Sequence, residues 1–277
     1  MEKGMISYLR KVVFWLVLLA IVLVSIFPVL WLVTASLKTF VDVFALPPKF
    51  IFRPTLVNYQ EVFFGKRIQL FWMNSIIVAF AATVIALVIG VPGAYSLAQF
   101  EFRGKKNIGI FILSVRIAPP IMSLLPLFVI FSRLHLVGTR VSLVIMYIVF
   151  NLPLSVWIMQ VFFRDVPREL REAAIMDGCG EFRTFLSIMV PLVQNGLLAT
   201  TVLCMIQSWN EYLFALVLSG QDTQTLPVAI TSFMTFQGIE WGPISAAGVV
   251  VMLPMILFGL LSQKNLVRGM TLGAVKG

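Results

Sequence analysis

The sequence predicts an all-α integral membrane protein with six transmembrane helices, and two observations carry this prediction. Of its 277 residues, 60% are apolar and only 12% are charged, against about 25% charged residues in soluble domains. Six apolar runs are each long enough to cross a bilayer core, which takes about 20 helical residues. We therefore predict one transmembrane domain over residues 1–277. The predicted helices cover residues 12–35, 71–98, 108–131, 141–163, 192–219 and 243–261.

The first three runs differ in the residues that interrupt them. The first follows Arg10 and Lys11, and it exceeds the apolar core of a signal peptide, about 7–15 residues, so we expect it to be retained. The second contains Pro92 between two glycines, which a membrane helix tolerates where neighbouring helices satisfy its backbone. The third contains Arg116 and the pair Pro119-Pro120.

The distribution of basic residues predicts the orientation. An even number of crossings places both termini on one side of the membrane. That side carries the larger share of Lys and Arg, so the positive-inside rule assigns the termini and the polar stretch 164–191 to the cytoplasm. The basic residues that give the net charge of +9 are scattered at the ends of apolar runs, which argues against nucleic-acid binding.

The polar stretch from Glu172 to Pro191 separates the fourth and fifth runs. Apolar residues recur at helical spacing on both sides of Gly178-Cys179-Gly180, which predicts two short amphipathic helices joined by a glycine elbow. We expect Pro191 to end the second of these segments. Two such helices at a membrane surface are suited to binding a partner protein, although an ordinary surface loop with helical content has the same pattern.

Polar side chains inside the apolar runs are candidates for a solute path. Such groups are costly at membrane depth and usually face a protein interior or water. They suit a hydroxyl-rich ligand, but helix–helix hydrogen bonding, or snorkelling of the arginine, explains them equally well. The candidates are Asn151, Gln207, Ser208, Trp209, Asn210, Glu211, Tyr212 and Arg116.

The sequence contains no nucleophile elbow, no histidine-rich helix and no P-loop. We therefore expect no enzymatic activity, no metal site and no cofactor in this chain. Any ATP-driven process needs an ATPase on another chain.

The polar stretch also resembles the EAA loop of ABC-importer permeases. The family pattern is Glu-Ala-Ala, three residues, Gly, nine residues and Ile-x-Leu-Pro. This chain has Glu172-Ala173-Ala174, Gly178 and Ile188 to Pro191, with Val190 in place of Leu. Other segments look like the carbohydrate class, similar to the second permease of maltose-type systems. They are Asn151-Leu152-Pro153-Leu154, Pro167-Arg168-Glu169-Leu170, Ser208-Trp209-Asn210-Glu211-Tyr212, Thr225-Leu226-Pro227 and Gly273-Ala274-Val275-Lys276-Gly277.

The resemblance implies a type I ABC-importer permease fold in a bacterial inner membrane. It implies a homologous permease partner, two ATPase subunits that bind ATP and Mg, and a periplasmic or lipid-anchored solute-binding protein. The EAA helix, about Glu169 to Phe185, would dock on one ATPase, and the tail with Lys276 would reach the ATPase pair. The implied ATPase-coupling residues are Glu169, Glu172, Ala173, Ala174, Asp177, Gly178, Phe182 and Phe185. The implied contacts with the binding protein are Phe233, Met234, Thr235, Phe236, Gln237 and Gly238.

Two other classes of function stay open at this point. An ion-coupled secondary transporter could use Arg116 and Glu211 as a relay. A membrane-embedded enzyme would need a catalytic group set, which the sequence lacks. Activity of the purified chain under an ion gradient alone would favour the first of these alternatives.

Overall fold

A computed structural model describes the backbone of residues 2–65, 67–235 and 238–272, and the side chains of residues 10–65, 67–235 and 238–260. Its contacts group these residues into two compact units. One unit holds the residues up to Ile68 together with Ile230–Met252, and the other holds Gln69–Ala229 and the residues from Leu253 onward. Each unit is described by itself, and the single-domain boundary stays a prediction.

The described residues are predominantly helical, as the sequence predicts. The α-helices are α1 (Glu2–Ser36), α2 (Phe40–Val43), α3 (Val57–Gln60), α4 (Ile68–Gln99), α5 (Lys105–Ile117), α6 (Pro120–Arg133), α7 (Arg140–Arg164), α8 (Arg168–Met176), α9 (Glu181–Thr184), α10 (Val190–Leu192), α11 (Gln194–Trp209), α12 (Leu213–Leu218), α13 (Leu226–Ala229) and α14 (Trp241–Leu272). Two π-helical segments, Glu61–Gly65 and Phe185–Met189, a 3₁₀ segment, Ile230–Phe233, and two short strands, β1 (Met234–Thr235) and β2 (Gly238–Ile239), complete the elements. Among the described residues, four helices are long and apolar enough to cross a membrane, and two bent helix pairs bring the number to six if each pair is one span.

The predicted continuous helix over residues 108–131 is wrong, because the third span is broken. Helices α5 and α6 meet at an angle of 93°. Ala118 and Pro119 have extended backbone ψ angles of 128° and 123°. The residue before a proline is disfavoured in the α region, and here two successive residues precede a proline. The Pro119-Pro120 pair therefore turns the chain instead of kinking a continuous helix.

The fifth span is also broken, in two places. The helical segment does not end at Pro191 as predicted: it continues to Leu192 and turns by 80° into α11. The N–H of Val190 donates to the carbonyl of Phe185 across a π-turn. The regular series of α-helical hydrogen bonds is therefore already interrupted at the position where Pro191 has no N–H to donate. Helix α11 then ends at Trp209, inside the predicted helix over residues 192–219.

An aromatic core joins the polar stretch to two spanning helices. Phe185 packs on Tyr95 of α4, with ring centroids 5.0 Å apart, and on Phe163 of α7, at 6.3 Å. Met189 and Val193 are buried in the same cluster. Phe185 and Met189 therefore fix the second half of the polar stretch against the membrane helices.

Small residues and buried amides set the spacing of the helices in this unit. The side-chain amide of Gln99 donates to the carbonyl of Phe163 at 2.6 Å and ties the end of α4 to the end of α7. At the other end of these helices, the Asn74 amide donates to the carbonyls of Asp222 and Gln224, both at 2.9 Å. The Phe162 ring of α7 lies against Gly196 of α11, so a side chain there has no room.

The other unit is held by polar contacts at the end of α1. The Asn58 side chain donates to the backbone carbonyls of Ser36 and Lys38, both at 2.8 Å. The hydroxyls of Ser36 and Tyr59 lie 2.8 Å apart. Gly242 of α14 faces Asn58, and an added Cβ would approach its Oδ1 to 2.6 Å. These contacts fix the loop after α1 against the start of α14.

We predict that Gly196→Ala destabilises the protein by about 1–3 kcal/mol, because overpacking a well-packed site forces side chains or backbone to shift. An added Cβ would come within 2.4 Å of the Phe162 ring. Thermal unfolding in detergent measures the effect. Gly109→Ala is the matched control, since nothing lies within 4 Å of its Cβ position. Equal melting temperatures for the two variants would contradict the tight packing.

Candidate coupling element and polar path

We call residues 168–192 the coupling element, and its elbow is a helix C-cap. The N–H of Gly178 donates to the carbonyl of Ile175, and the N–H of Cys179 donates to the carbonyl of Ala174, both at 3.0 Å. This bond pair is the Schellman motif, which requires a left-handed residue after the helix. Gly178 supplies it with a φ of +81°, a conformation that costs glycine little. The predicted pair of short helices with a glycine elbow is thus present, as α8 and α9, whereas one helix from Glu169 to Phe185 is not.

Arg171 bridges the two arms of the elbow. Its guanidinium pairs with the Glu181 carboxylate at the start of α9, with an Nε to Oε2 distance of 3.2 Å. The same guanidinium lies over the Phe100 ring, 4.2 Å from its centroid. The coupling residues implied by the resemblance do not include Arg171. The pairing of charges ten residues apart was visible in the sequence, but the stacking on Phe100 was not.

A second ion pair fixes the start of α8. Arg168 donates to the carboxylate of Glu101 at 2.8 Å, and Lys105 approaches the same carboxylate at 3.1 Å. These hydrogen bonds, first that of Arg168 and then that of Lys105, lower the pKa of Glu101 below its ordinary value. The carboxylate is therefore charged at neutral pH, and the interaction weakens only in acid.

The coupling residues implied by the resemblance divide between a buried and an exposed face. Phe185 and Ala174 are buried within this chain, so neither is free to enter a partner. Phe182 is 75% exposed, and Met176, which the sequence-based set did not contain, is 86% exposed. Leu170 also contributes to this apolar surface. The remaining predicted coupling residues are exposed: Glu169, Glu172, Ala173, Asp177 and Gly178.

Part of the predicted polar path lines one cavity of about 160 Å³. Asn151 of α7 donates from its amide to the Ser208 hydroxyl of α11 at 2.6 Å, and its side-chain oxygen is buried without a partner. Gln207 and Glu211 line the same cavity. The guanidinium of Arg116, at the end of α5, lies 3.5 Å from the Gln207 side-chain oxygen. The broken third span therefore brings an arginine to a side chain that lines the cavity.

The other half of the predicted path has structural contacts. The two carboxylate oxygens of Glu211 accept from the N–H groups of Phe214 and Ala215, at 2.9 and 3.0 Å. Glu211 thus caps α12, which explains the break after Trp209. Helix α11 ends at Trp209, so Asn210 and Tyr212 do not continue its faces, whereas Glu211 still lines the cavity with Gln207. Asn210 bonds back to its own helix at Ile206, Trp209 is fully buried, and Tyr212 is exposed.

The segment expected to contact a binding protein forms a short hairpin. Met234 pairs with Ile239, and Thr235 pairs with Gly238. Phe233 is fully buried and anchors the hairpin, while Met234 is exposed. Phe236 and Gln237, and the tail with Lys276, lie outside the described residues.

Residues 90–272 match the family model described as "Binding-protein-dependent transport system inner membrane component". The chain belongs to this family. It is a permease subunit of an ABC transporter and not an enzyme, and the alternatives of an ion-coupled secondary transporter and a membrane enzyme are not supported. The match begins at Gly90 and contains the whole coupling element and the polar path.

Two curated relatives and one solved structure are similar to this chain over most of its length. The trehalose transport system permease protein SugB of Mycobacterium tuberculosis is 36% identical, over 97% of this chain and 99% of its own length. The trehalose/maltose transport system permease protein MalG of Thermococcus litoralis is 32% identical, over 97% and 98%. A chain of a bacterial ABC transporter that imports the acidic polysaccharide alginate shares the fold, with a TM-score of 0.79 and 22% identity, over 93% of this chain and 96% of that one.

We predict that Arg171→Ala loosens the elbow without unfolding the membrane helices. The variant loses an ion pair and a cation–π contact, so amide hydrogen exchange over residues 168–192 should become about three- to tenfold faster. Hydrogen exchange with mass spectrometry measures this directly. Arg183→Ala is the matched control, since Arg183 is an exposed arginine of the same element. Unchanged protection in the Arg171 variant would show that the bridge does not hold the elbow.

Proposed function

We propose that this permease carries a sugar or sugar derivative across a bacterial inner membrane, with both termini in the cytoplasm. The relatives named for trehalose and maltose support the cargo class. The small cavity supports it as well, because the amides of Asn151 and Gln207 and the hydroxyl of Ser208 are groups that suit a ligand rich in hydroxyls at membrane depth. A homologous permease supplies the other half of the path, and a periplasmic or lipid-anchored solute-binding protein delivers the cargo.

The observation that carries the coupling proposal is the two-faced coupling element. Phe182 and Met176 expose apolar surface on one face, and Phe185 is buried between α4 and α7 on the other. Exposed apolar patches with polar rims commonly mark protein interfaces. One of two ATPase subunits docks on the exposed face, and these subunits bind the ATP and Mg. Movement of the element is passed to the spanning helices through the buried face, as in a rigid-body switch between two states.

The hairpin around Met234 is the proposed contact with the solute-binding protein. Its buried Phe233 anchor leaves the exposed Met234 and Thr235 available to a partner without disturbing the fold. Gln207 and Arg116 are the proposed cargo contacts, because neither is committed to a cap or to the core. Glu211 and Trp209 instead hold the local structure around them.

We predict that Phe182→Asp reduces the ATPase retained on the permease by about tenfold or more, because an aromatic anchor in an interface commonly contributes about 2 kcal/mol or more. Co-purification from cells that produce the whole transport system measures the retained ATPase, and uptake assays should show a parallel loss. Ile51→Asp is the control, since Ile51 is 95% exposed in the other unit. Gly178→Asp should act in the same direction by straining the elbow. Full ATPase retention in both variants would refute docking at this element.

We predict that Gln207→Ala and Glu211→Ala have different effects. Gln207→Ala removes a cavity-lining amide and should raise the KM for uptake about three- to tenfold, with little change in the melting temperature. Glu211→Ala removes a helix cap and should destabilise the protein by about 0.5–2 kcal/mol. Uptake kinetics and thermal unfolding on both variants separate the two roles. A pure loss of stability in the Gln207 variant would reassign this residue to helix packing.

A further inference from the structure

Lys38 is a buried cation without a carboxylate partner. It lies two residues after the end of α1, and its residue surface is only 4% exposed. Its ammonium lies over two aromatic rings, 5.1 Å from the centroid of Trp31 and 5.2 Å from that of Phe52. Within the described part of the chain, no carboxylate lies within ion-pair distance of it.

The nearest candidate for such a partner is already engaged. Asp42 pairs with Lys49 at 2.6 Å, and it also accepts a hydrogen bond from the Thr39 hydroxyl at 2.9 Å. The hydrogen bond with Lys49 is the main cause of the lowered pKa of Asp42. Lys38 is a weaker electrostatic neighbour of the same carboxylate. Asp42 is therefore engaged by Lys49 and Thr39, and one formal positive charge is left over at this site.

Two cation–π contacts leave the N–H donors of this ammonium group without an acceptor among the described residues. Buried charges in proteins are normally paired with an opposite charge or hydrogen-bonded. An anion that is not part of the described chain would complete the site.

A cavity of about 310 Å³ lies beside this ammonium. The volume corresponds to about ten water molecules in the liquid, which is room for a phosphate with an attached glycerol. Lys38 and the buried hydroxyl of Ser245 are the polar side chains of its wall. Trp31, Phe44 and Trp241 are the exposed aromatic residues of the wall.

The position of the cavity along α1 indicates a lipid and not a soluble anion. The apolar span over Arg10–Ser36 ends just before Lys38, which places the ammonium at headgroup depth. Tryptophan side chains are enriched at this level of a membrane. In the turns before Trp31, α1 exposes Phe27 and Leu30, which offers an apolar track for acyl chains.

We propose that this cavity binds the phosphate headgroup of an anionic phospholipid, such as phosphatidylglycerol. Lys38 donates to a phosphate oxygen, Ser245 donates to a second oxygen or to the glycerol, and the aromatic rim contacts the glycerol backbone. Basic pockets at the ends of membrane helices recognise lipid headgroups through the same chemistry. The proposal does not depend on which solute the permease carries.

Native mass spectrometry of the full-length chain tests this site. The protein is reconstituted in nanodiscs of phosphatidylcholine with an equal part of phosphatidylglycerol and then released, and the retained lipids are counted. We expect wild type to retain phosphatidylglycerol in preference to phosphatidylcholine. Lys38→Met should lower this retention about tenfold, the effect of losing one charge-assisted hydrogen bond, and Lys38→Arg should restore much of it. Arg53→Met is the matched control and should retain the lipid, since Arg53 is an exposed basic residue of the same loop and does not line the cavity.

A cavity-filling variant and a test with inorganic phosphate complete the experiment. Ser245→Phe fills the cavity while keeping the lysine, so it should also lower retention, and it replaces Lys38→Met if that variant fails to fold. Thermal unfolding in phosphatidylcholine nanodiscs with added inorganic phosphate separates a lipid from a free anion. Stabilisation by phosphate equal to that by phosphatidylglycerol would overturn the lipid assignment. Absence of lipid preference in wild type, or equal retention by wild type and the cavity-filled variant, would overturn the site.

Discussion

The contact of Phe185 with Tyr95 and Phe163 is the interaction that holds the coupling element against the membrane helices. Burial of a phenylalanine contributes about 1.5–3 kcal/mol, and each aromatic pair adds about 0.5–1.5 kcal/mol. These rings come from the coupling element, α4 and α7. The element is therefore joined to two spanning helices by packed rings as well as by the chain itself.

The same region illustrates how a helix end is completed near a membrane. The carbonyls at the end of α8 accept from Gly178 and Cys179, and those at the end of α7 accept from the Gln99 amide. Backbone groups left unsatisfied in an apolar medium cost several kcal/mol each. Gly178 and Gln99 thus stabilise the helix ends that give the coupling element its shape.

The two broken spans also follow from the need to satisfy backbone N–H and C=O groups in an apolar medium. Where α11 ends, the Glu211 carboxylate satisfies the first N–H groups of α12, and the break leaves Gln207 and Asn151 lining a cavity. Where the third span turns at Pro119, Arg116 approaches the Gln207 side chain of that cavity's lining. Irregular backbone at membrane depth is tolerated where it is buried in protein or lines a cavity, and both breaks meet this condition.

The sequence by itself determined the class of the protein, the approximate bounds of its spans and the position of the elbow. Apolar run length and the φ requirement of Gly178 are local properties, and no distant residue alters them. Only the tertiary structure decided that Phe185 faces the core while Phe182 faces out, and that Glu211 caps a helix while Gln207 lines a cavity. It also placed Arg171 over Phe100, and it left Lys38 near two rings with no carboxylate of the described residues within ion-pair distance. Each of these outcomes depends on which helices meet, and periodicity within one segment carries no information about its neighbours.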